Sequence, residues 1–190
     1  MMNRLSRLVG DCQFRASEEN EDKYIEGYFV VFNSPYWFSK TDYETISPDA
    51  FNETLDDDIR ALVNHDSTLV IGRTSSKTLE LRLDEHGLWG RILINPNDTD
   101  ALNIYARVQR GDVSQCSFGF EILDEETELL EDGGVHWTVK KVRLHEVSVV
   151  TFPAYEDTEV TARCKKADAL REAQSWRIKM LEKLKGEQND

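Results

Sequence analysis

The two-residue alternation of half-buried strands dominates this chain, and helical spacing takes over in only a few places. Tyr24 to Phe32 reads as the first strand, centred on Tyr28-Phe29-Val30-Val31-Phe32, and Asn33-Ser34-Pro35 ends it. The acidic residues 16–23 before it read as a loop. Ser47-Pro48-Asp49-Ala50-Phe51 starts a short helix, with Ser47 as N-cap and Pro48 at the first helical position, that ends near Leu55. Ile59 to Asn64 is a second strand with His65 at its end, and Val70-Ile71-Gly72 is a short apolar piece. Thr78 to Leu83 and Gly87 to Ile94 alternate on either side of a turn at Asp84-Glu85-His86-Gly87, so they pair as a hairpin.

Asn95-Pro96-Asn97-Asp98 stops that sheet and caps a helix from about Thr99 to Arg110. Leu102, Tyr105, Ala106 and Val108 give this helix a face to bury, and Gly111 stands where a C-terminal cap glycine belongs. Val113 to Leu123 returns to strand. Residues 124–134 are acidic, end in Gly133-Gly134 and read as a mobile loop. Val135 to Val142 and Leu144 to Thr151 are two further strands or one bent strand, closed by Pro153. In the tail from Lys165 to Lys185, Leu170, Ala173, Trp176 or Arg177, Leu181 and Leu184 recur at helical spacing, and the default for such a helix is to pack on its own domain. Seven or so strands with two or three helices predict a mainly β (α+β) fold, a β-barrel or sandwich decorated by helices. The chain divides into an N-terminal segment 1–23, a β domain 24–162 and a helical tail 163–190.

A length of 190 residues suits one domain, and 39% apolar against 31% charged residues is polar for a domain of that size. The net charge of −13 argues against nucleic acid and anionic membranes as main partners and would attract a basic segment. Cys12, Cys116 and Cys164 give neither a disulfide framework nor a zinc spacing, which fits a reducing compartment. Apolar stretches reach only about half a membrane span. The start Met1-Met2-Asn3-Arg4-Leu5-Ser6-Arg7-Leu8 is too poor in apolar residues for a secretion signal, so the expectation is a soluble, intracellular protein.

Three polar segments interrupt the apolar strands: Asn64-His65-Asp66, Ser117-Phe118-Gly119-Phe120 and Leu144-His145-Glu146-Val147-Ser148. Together they hold a base, a nucleophile and an orienting carboxylate, the parts of a serine hydrolase. His65 follows Ala61-Leu62-Val63 at a strand-to-loop transition, where an imidazole can serve as general base near neutral pH. On a strand, Gln115, Ser117 and Gly119 share one face, while Ser114, Cys116, Phe118 and Phe120 share the other, core-like face. Cys116 is therefore read as packing. Gly119 beside Ser117 leaves room for a peptide substrate's backbone. Glu146 shares a face with Ser148 and Val150, and a carboxylate buried there needs a partner. That partner is either the far nitrogen of His65 or a cation such as Arg143. Asp66 diverges from His65 along the strand and is assigned to the local turn.

These segments resemble the prohead serine proteases of tailed bacteriophages, head-maturation enzymes distantly related to herpesvirus assemblins. The resemblance covers residues 24–162. It rests on Gly27-Tyr28-Phe29-Val30-Val31-Phe32-Asn33, Ile46-Ser47-Pro48-Asp49-Ala50-Phe51, Asn64-His65-Asp66 followed by Ile71-Gly72-Arg73, Val113-Ser114-Gln115-Cys116-Ser117-Phe118-Gly119-Phe120, and Glu146-Val147-Ser148-Val149-Val150-Thr151-Phe152-Pro153-Ala154-Tyr155, in that order. It implies His65 as the catalytic histidine, Ser117 as the nucleophile and Glu146 as the third member. His145 stands as the alternative third member, because assemblins use a second histidine. It implies a closed or nearly closed β-barrel of about seven strands flanked by helices. The implied task is to cut the scaffold, or the scaffold-like N-terminal segment of the major capsid protein, and the protease itself, inside the prohead in the host cytoplasm. The implied partners are the major capsid protein, the scaffold and a second copy in a homodimer, with no metal and no cofactor. The oxyanion donors are not identified; Arg73 is a candidate. Two other readings stand beside this one: a non-catalytic capsid-assembly factor with the same barrel, and a metal hydrolase using His65, Asp66 and Glu146, which lacks paired ligand spacing.

Overall fold

The computed structural model describes residues 5–8, 14–152 and 157–186, with side chains for 14–152 and 161–184. Its elements run as strands β1 (Leu5–Leu8), β2 (Arg15–Glu19), β3 (Asp22–Val31), β4 (Tyr36–Trp37) and β5 (Tyr43–Ile46), a 3-10 turn (Pro48–Phe51), strands β6 (Arg60–Val63), β7 (Asp66–Arg73), β8 (Leu79–Leu83) and β9 (Gly87–Leu93), helix α1 (Thr99–Arg110), strands β10 (Gln115–Leu129) and β11 (Val135–Val150), and helix α2 (Asp157–Gly186).

The strands form two sheets. The smaller is antiparallel, in the order β2-β3-β9-β8. The larger has seven strands and is built on the long β10–β11 hairpin. β1 lies antiparallel along the free side of β10. The far side of β11 takes two short parallel strands, β5 against residues 136–139 and β6 against residues 146–149. β4 and β7 extend these outward. The mainly β fold with two helices is as expected, but neither sheet closes on itself among the described residues, so the closed or nearly closed barrel is not confirmed. The cause is visible in β11, which hands over from β5 to β6 along one edge and leaves β4 and β7 as unjoined ends.

One core lies between the sheets. Ile25, Phe29, Leu88 and Ile92 come from the smaller sheet; Cys116, Phe118, Phe120, Leu144, Val147 and Val149 come from the larger. Phe118 and Phe120, two residues apart on one face, stack at 4.7 Å. Each such phenyl contributes about 1.5–3 kcal/mol by leaving water. This core fixes the register of β10 and β11, because a one-residue slip would carry Ser117 and Glu146 into it. Cys116 is buried there as half of a disulfide, where the sequence suggested a reduced thiol.

Helix α1 has the expected ends. Asp98 caps it by accepting from the amides of Asp100 and Ala101, and Gly111 takes the left-handed conformation after its last turn, at φ 87°. Three expectations change. Residues 16–23 contain β2 and the start of β3. The helix expected from Ser47 is a single 3-10 turn, and Ser47 makes no side-chain cap. The acidic stretch 124–134 is a loop only from residue 130: β10 runs on to Leu129, with Glu126 paired across the hairpin to Lys140 at 3.0 Å and Glu125 paired to Arg163 of α2 at 2.7 Å. Charge pairing thus sustains strand where composition suggested solvent.

α2 begins at Asp157, earlier than the helical spacing from Lys165 implied. Ala167 and Leu170 pack on a second cluster of Phe38, Val135 and Trp137. Arg163 is buried between Glu44 (2.6 Å) and Glu125 (2.7 Å) and lies over the Trp137 ring. The first half of α2 packs on its own domain as expected; Trp176, Ile178, Met180, Leu181 and Leu184 in the second half are exposed.

Candidate active site

His65 is set by a hairpin tip. β6 and β7 close through the pair Val63–Asp66, so Asn64 and His65 are the whole loop. Both have positive φ, 50° and 61°, as a type I′ turn demands. Asparagine suits that conformation; histidine occupies it at a cost that glycine would avoid. Strain of this kind concentrates where a side chain is needed for chemistry. The tip is tied to β11 through Asn64, whose amide donates to Val149 O (2.9 Å) and whose Oδ1 accepts from Thr151 N (2.9 Å). Asp66 accepts from the Thr68 hydroxyl and amide, which hold its carboxyl below the usual range and start β7. It serves the turn, as the sequence suggested, and does not join His65.

Glu146, Ser148 and Val150 point to the face of β11 opposite the core. Glu146 is 1% and Ser148 0% exposed. His65 Nδ1 lies 2.6 Å from Glu146 Oε1. Ser148 donates from its hydroxyl to Glu146 Oε2 at 2.5 Å and accepts from the His65 amide at 3.3 Å. Arg143, the alternative partner for Glu146, bonds Glu121 instead (3.0 Å). The contact to His65 comes from Glu146 and not from His145, which is the extra residue where Phe120 pairs with Leu144 and Gly119 with Glu146.

Ser117 faces Ser148 directly across β10 and β11, and Gly119 faces Glu146. Paired residues on antiparallel strands point to the same side, so Ser117 shares the face of Glu146 and Ser148. β11 is therefore the middle strand of the site, with Ser117 on one neighbour and the His65 hairpin on the other. His65 Nε2 is buried and has no hydrogen-bond partner, so His65 and Ser117 are not bonded to each other in this structure. Ser117 is fully buried, and β1 runs beside it with Leu8 opposite Ser117 and Ser6 opposite Gly119. The edge of β10 at Gly119, where a substrate backbone was expected, is thus held by the chain's own strand.

Arg73 stands at the other end of β7 from the His65 tip, paired with Arg60 at the start of β6. Its guanidinium pairs with Asp58 at 2.7 and 2.5 Å on the surface. Its guanidinium is thus engaged by Asp58 at the surface.

Residues 11–173 match the family model described as "Caudovirus prohead serine protease". The chain belongs to the prohead serine proteases of tailed phages. The prohead protease of Enterobacteria phage HK97 is 28% identical over 173 residues, 87% of this chain and 72% of that protein. The structure of the capsid assembly protease of bacteriophage T4 is similar with a TM-score of 0.46 and 13% identity, over 79% of this chain and 98% of that one. Membership in the prohead proteases makes this chain a peptidase of capsid maturation, working in the assembling head within the host. The family match spans every element that builds the site, from β2 to the docked half of α2. No helix among the described residues is long and apolar enough to cross a membrane.

Sequence reasoning passed over two residues of this prohead protease site. Asn64 was seen only as a neighbour of His65, and Ser148 only as a residue on the Glu146 face. The signal for Ser148 was available: a small hydroxyl two residues beyond an acid on one face of a strand is within reach of that acid.

Proposed function

We propose that the chain is a serine endopeptidase in which Ser117 is the nucleophile, His65 the general base and acid, and Glu146 the carboxylate that orients the imidazole. The observation that carries this reading is the two-sided setting of the His65 ring. Nδ1 sits 2.6 Å from a buried carboxylate oxygen while Nε2 is buried without a partner. Donation of Nδ1–H to Glu146 leaves the lone pair on Nε2, the form a general base requires. Ser117, one strand away on the same face, is the hydroxyl that this nitrogen serves once the site tightens around a substrate.

The chemistry follows from these positions. Ser117 Oγ attacks the scissile carbonyl carbon and gives its proton to His65 Nε2. The resulting imidazolium is stabilised by Glu146. Collapse of the tetrahedral intermediate breaks the C–N bond, and His65 returns the proton to the leaving amine. Water, deprotonated by His65, then attacks the acyl carbon; the ester C–O bond breaks, and His65 returns the proton to Ser117 Oγ. The developing oxyanion is left to backbone N–H groups, since Arg73 is engaged elsewhere.

The substrates we propose are the scaffold or the scaffold-like N-terminal segment of the major capsid protein, and the protease itself. The run of β1 along β10, with Leu8 opposite Ser117, supports the self-cleaving part, because a strand of the chain's own N-terminal segment already lies beside the nucleophile. A homodimer is the assembly implied by the assemblin resemblance, and light scattering of the purified chain reads it.

Co-expression with the cognate major capsid and scaffold proteins, followed by intact mass measurement, tests the proposal. Shortened capsid or scaffold protein with the wild type, and full-length protein with Ser117→Ala and His65→Ala, is the expected outcome. Full-length proteins in assembled shells from all three would overturn it in favour of a non-catalytic assembly factor.

A further inference from the structure

We infer that Ser148 is a positioning residue of this site, which holds the Glu146 carboxylate against His65 by donating to its second oxygen. The inference rests on the catalytic reading above and adds a member to it. The Ser148 hydroxyl has one proton and two lone pairs. The proton goes to Glu146 Oε2 at 2.5 Å, and a lone pair receives the His65 amide at 3.3 Å. One buried hydroxyl therefore joins the carboxylate to the backbone of the turn that carries the imidazole. With Oε2 bound to Ser148, rotation of the carboxylate about its bond to the side chain is restrained, and Oε1 stays in line with Nδ1.

The position is dictated by the sheet. Ser148 is two residues from Glu146 and so on its face; it pairs with Ser117 across β10 and with Leu62 across β6. It thus lies between the strand of the nucleophile and the hairpin of the base. Its commitment to Oε2 also separates the roles of the two facing serines, because a hydroxyl that donates to a carboxylate at 2.5 Å does not offer that proton to His65 Nε2. Only a small side chain with a donor fills this place: alanine lacks the donor, and valine would set a methyl group against the carboxylate.

A histidine NMR and cleavage experiment on the full chain tests this. In wild type, the His65 Nδ1 proton is expected far downfield, as a short bond to a carboxylate requires. In Ser148→Ala that resonance is expected to move upfield or broaden by exchange. Cleavage of the cognate capsid protein should fall about 10- to 100-fold in kcat, with KM within about twofold, as for a misplaced catalytic group. Ser148→Cys keeps the shape with a weaker donor and should fall between the two in both readouts; if the alanine variant does not fold, the cysteine variant decides. An unchanged resonance and a kcat within about twofold of wild type in the folded variant would overturn the inference. Failure of the catalytic reading is distinct: wild type would then lack the downfield proton, or Ser117→Ala would still cleave.

Discussion

β11 carries a buried carboxylate network near each end, and the two differ in what faces the acid. Near its start, beside β5, Glu44 takes the Arg163 guanidinium at 2.6 Å, and Asp42 takes Arg171 and the Val135 amide. Near its end, beside β6, Glu146 takes an imidazole and a hydroxyl. A guanidinium does not give up its proton in a protein, so the first network is a fixed ion pair that docks α2 on the sheet. An imidazole has one ring nitrogen that can donate and one that can accept, so the second network is the one suited to the proposed proton transfer. The same β architecture serves adhesion at one end and, in the proposed mechanism, chemistry at the other, and the group opposite the carboxylate distinguishes them.

The largest effect expected to sharpen this contrast is at the chemical end. Glu146→Gln should keep the fold and lower capsid-protein cleavage about a thousandfold, since the amide cannot stabilise the imidazolium. At the adhesive end, Arg163→Ala should remove the buried cation that Glu44 and Glu125 share and cost about 3 kcal/mol in denaturant unfolding. Cleavage per folded molecule should persist. A thousandfold loss of cleavage from Arg163→Ala would erase the distinction.

Smaller effects separate the two ends further. His65→Gly should be more stable than His65→Ala by about 1 kcal/mol in denaturant unfolding, because glycine accepts the φ of 61° that alanine resists; both should be inactive. At the adhesive end, burial opposes ionisation of Glu125, but hydrogen bonds from Lys166 and Arg163 outweigh it and hold the carboxyl below its usual range. A carboxyl with a lowered folded pKa contributes stability above its unfolded value, about 4.3, and loses it as pH falls through the folded one. The protection of the α2 amides near Arg163, taken relative to their intrinsic exchange rate at each pH, should therefore fall as pH drops below about 4. Arg73→Ala, on the surface with Asp58, should leave cleavage within about twofold of wild type.

Local chemistry made parts of this molecule legible in the sequence. Helix α1 declared both its ends through Asp98 and Gly111, and the β8–β9 hairpin declared itself by alternation. Face assignment by period two put Ser117 opposite the core and Glu146 beside Ser148, as the strands have them. What was not legible depends on contacts distant in sequence. His65 looked like the end of a strand, whereas it is half of a two-residue turn, because histidine gives no turn signal of its own. The acidic run 124–134 looked solvated until α2 and β11 supplied its cations. Closure into a barrel is a property of edges, and no local pattern reports which edges meet.

The joint action of Glu146 and His65 is tested most directly by a double-mutant cycle. Cleavage of the cognate capsid protein would be measured for wild type, Glu146→Gln, His65→Ala and the double variant. If the carboxylate acts through the imidazole, Glu146→Gln should cost about a thousandfold in wild type and nothing further in His65→Ala, as in units that fail together. An equal loss in both backgrounds would show that Glu146 does not work through His65.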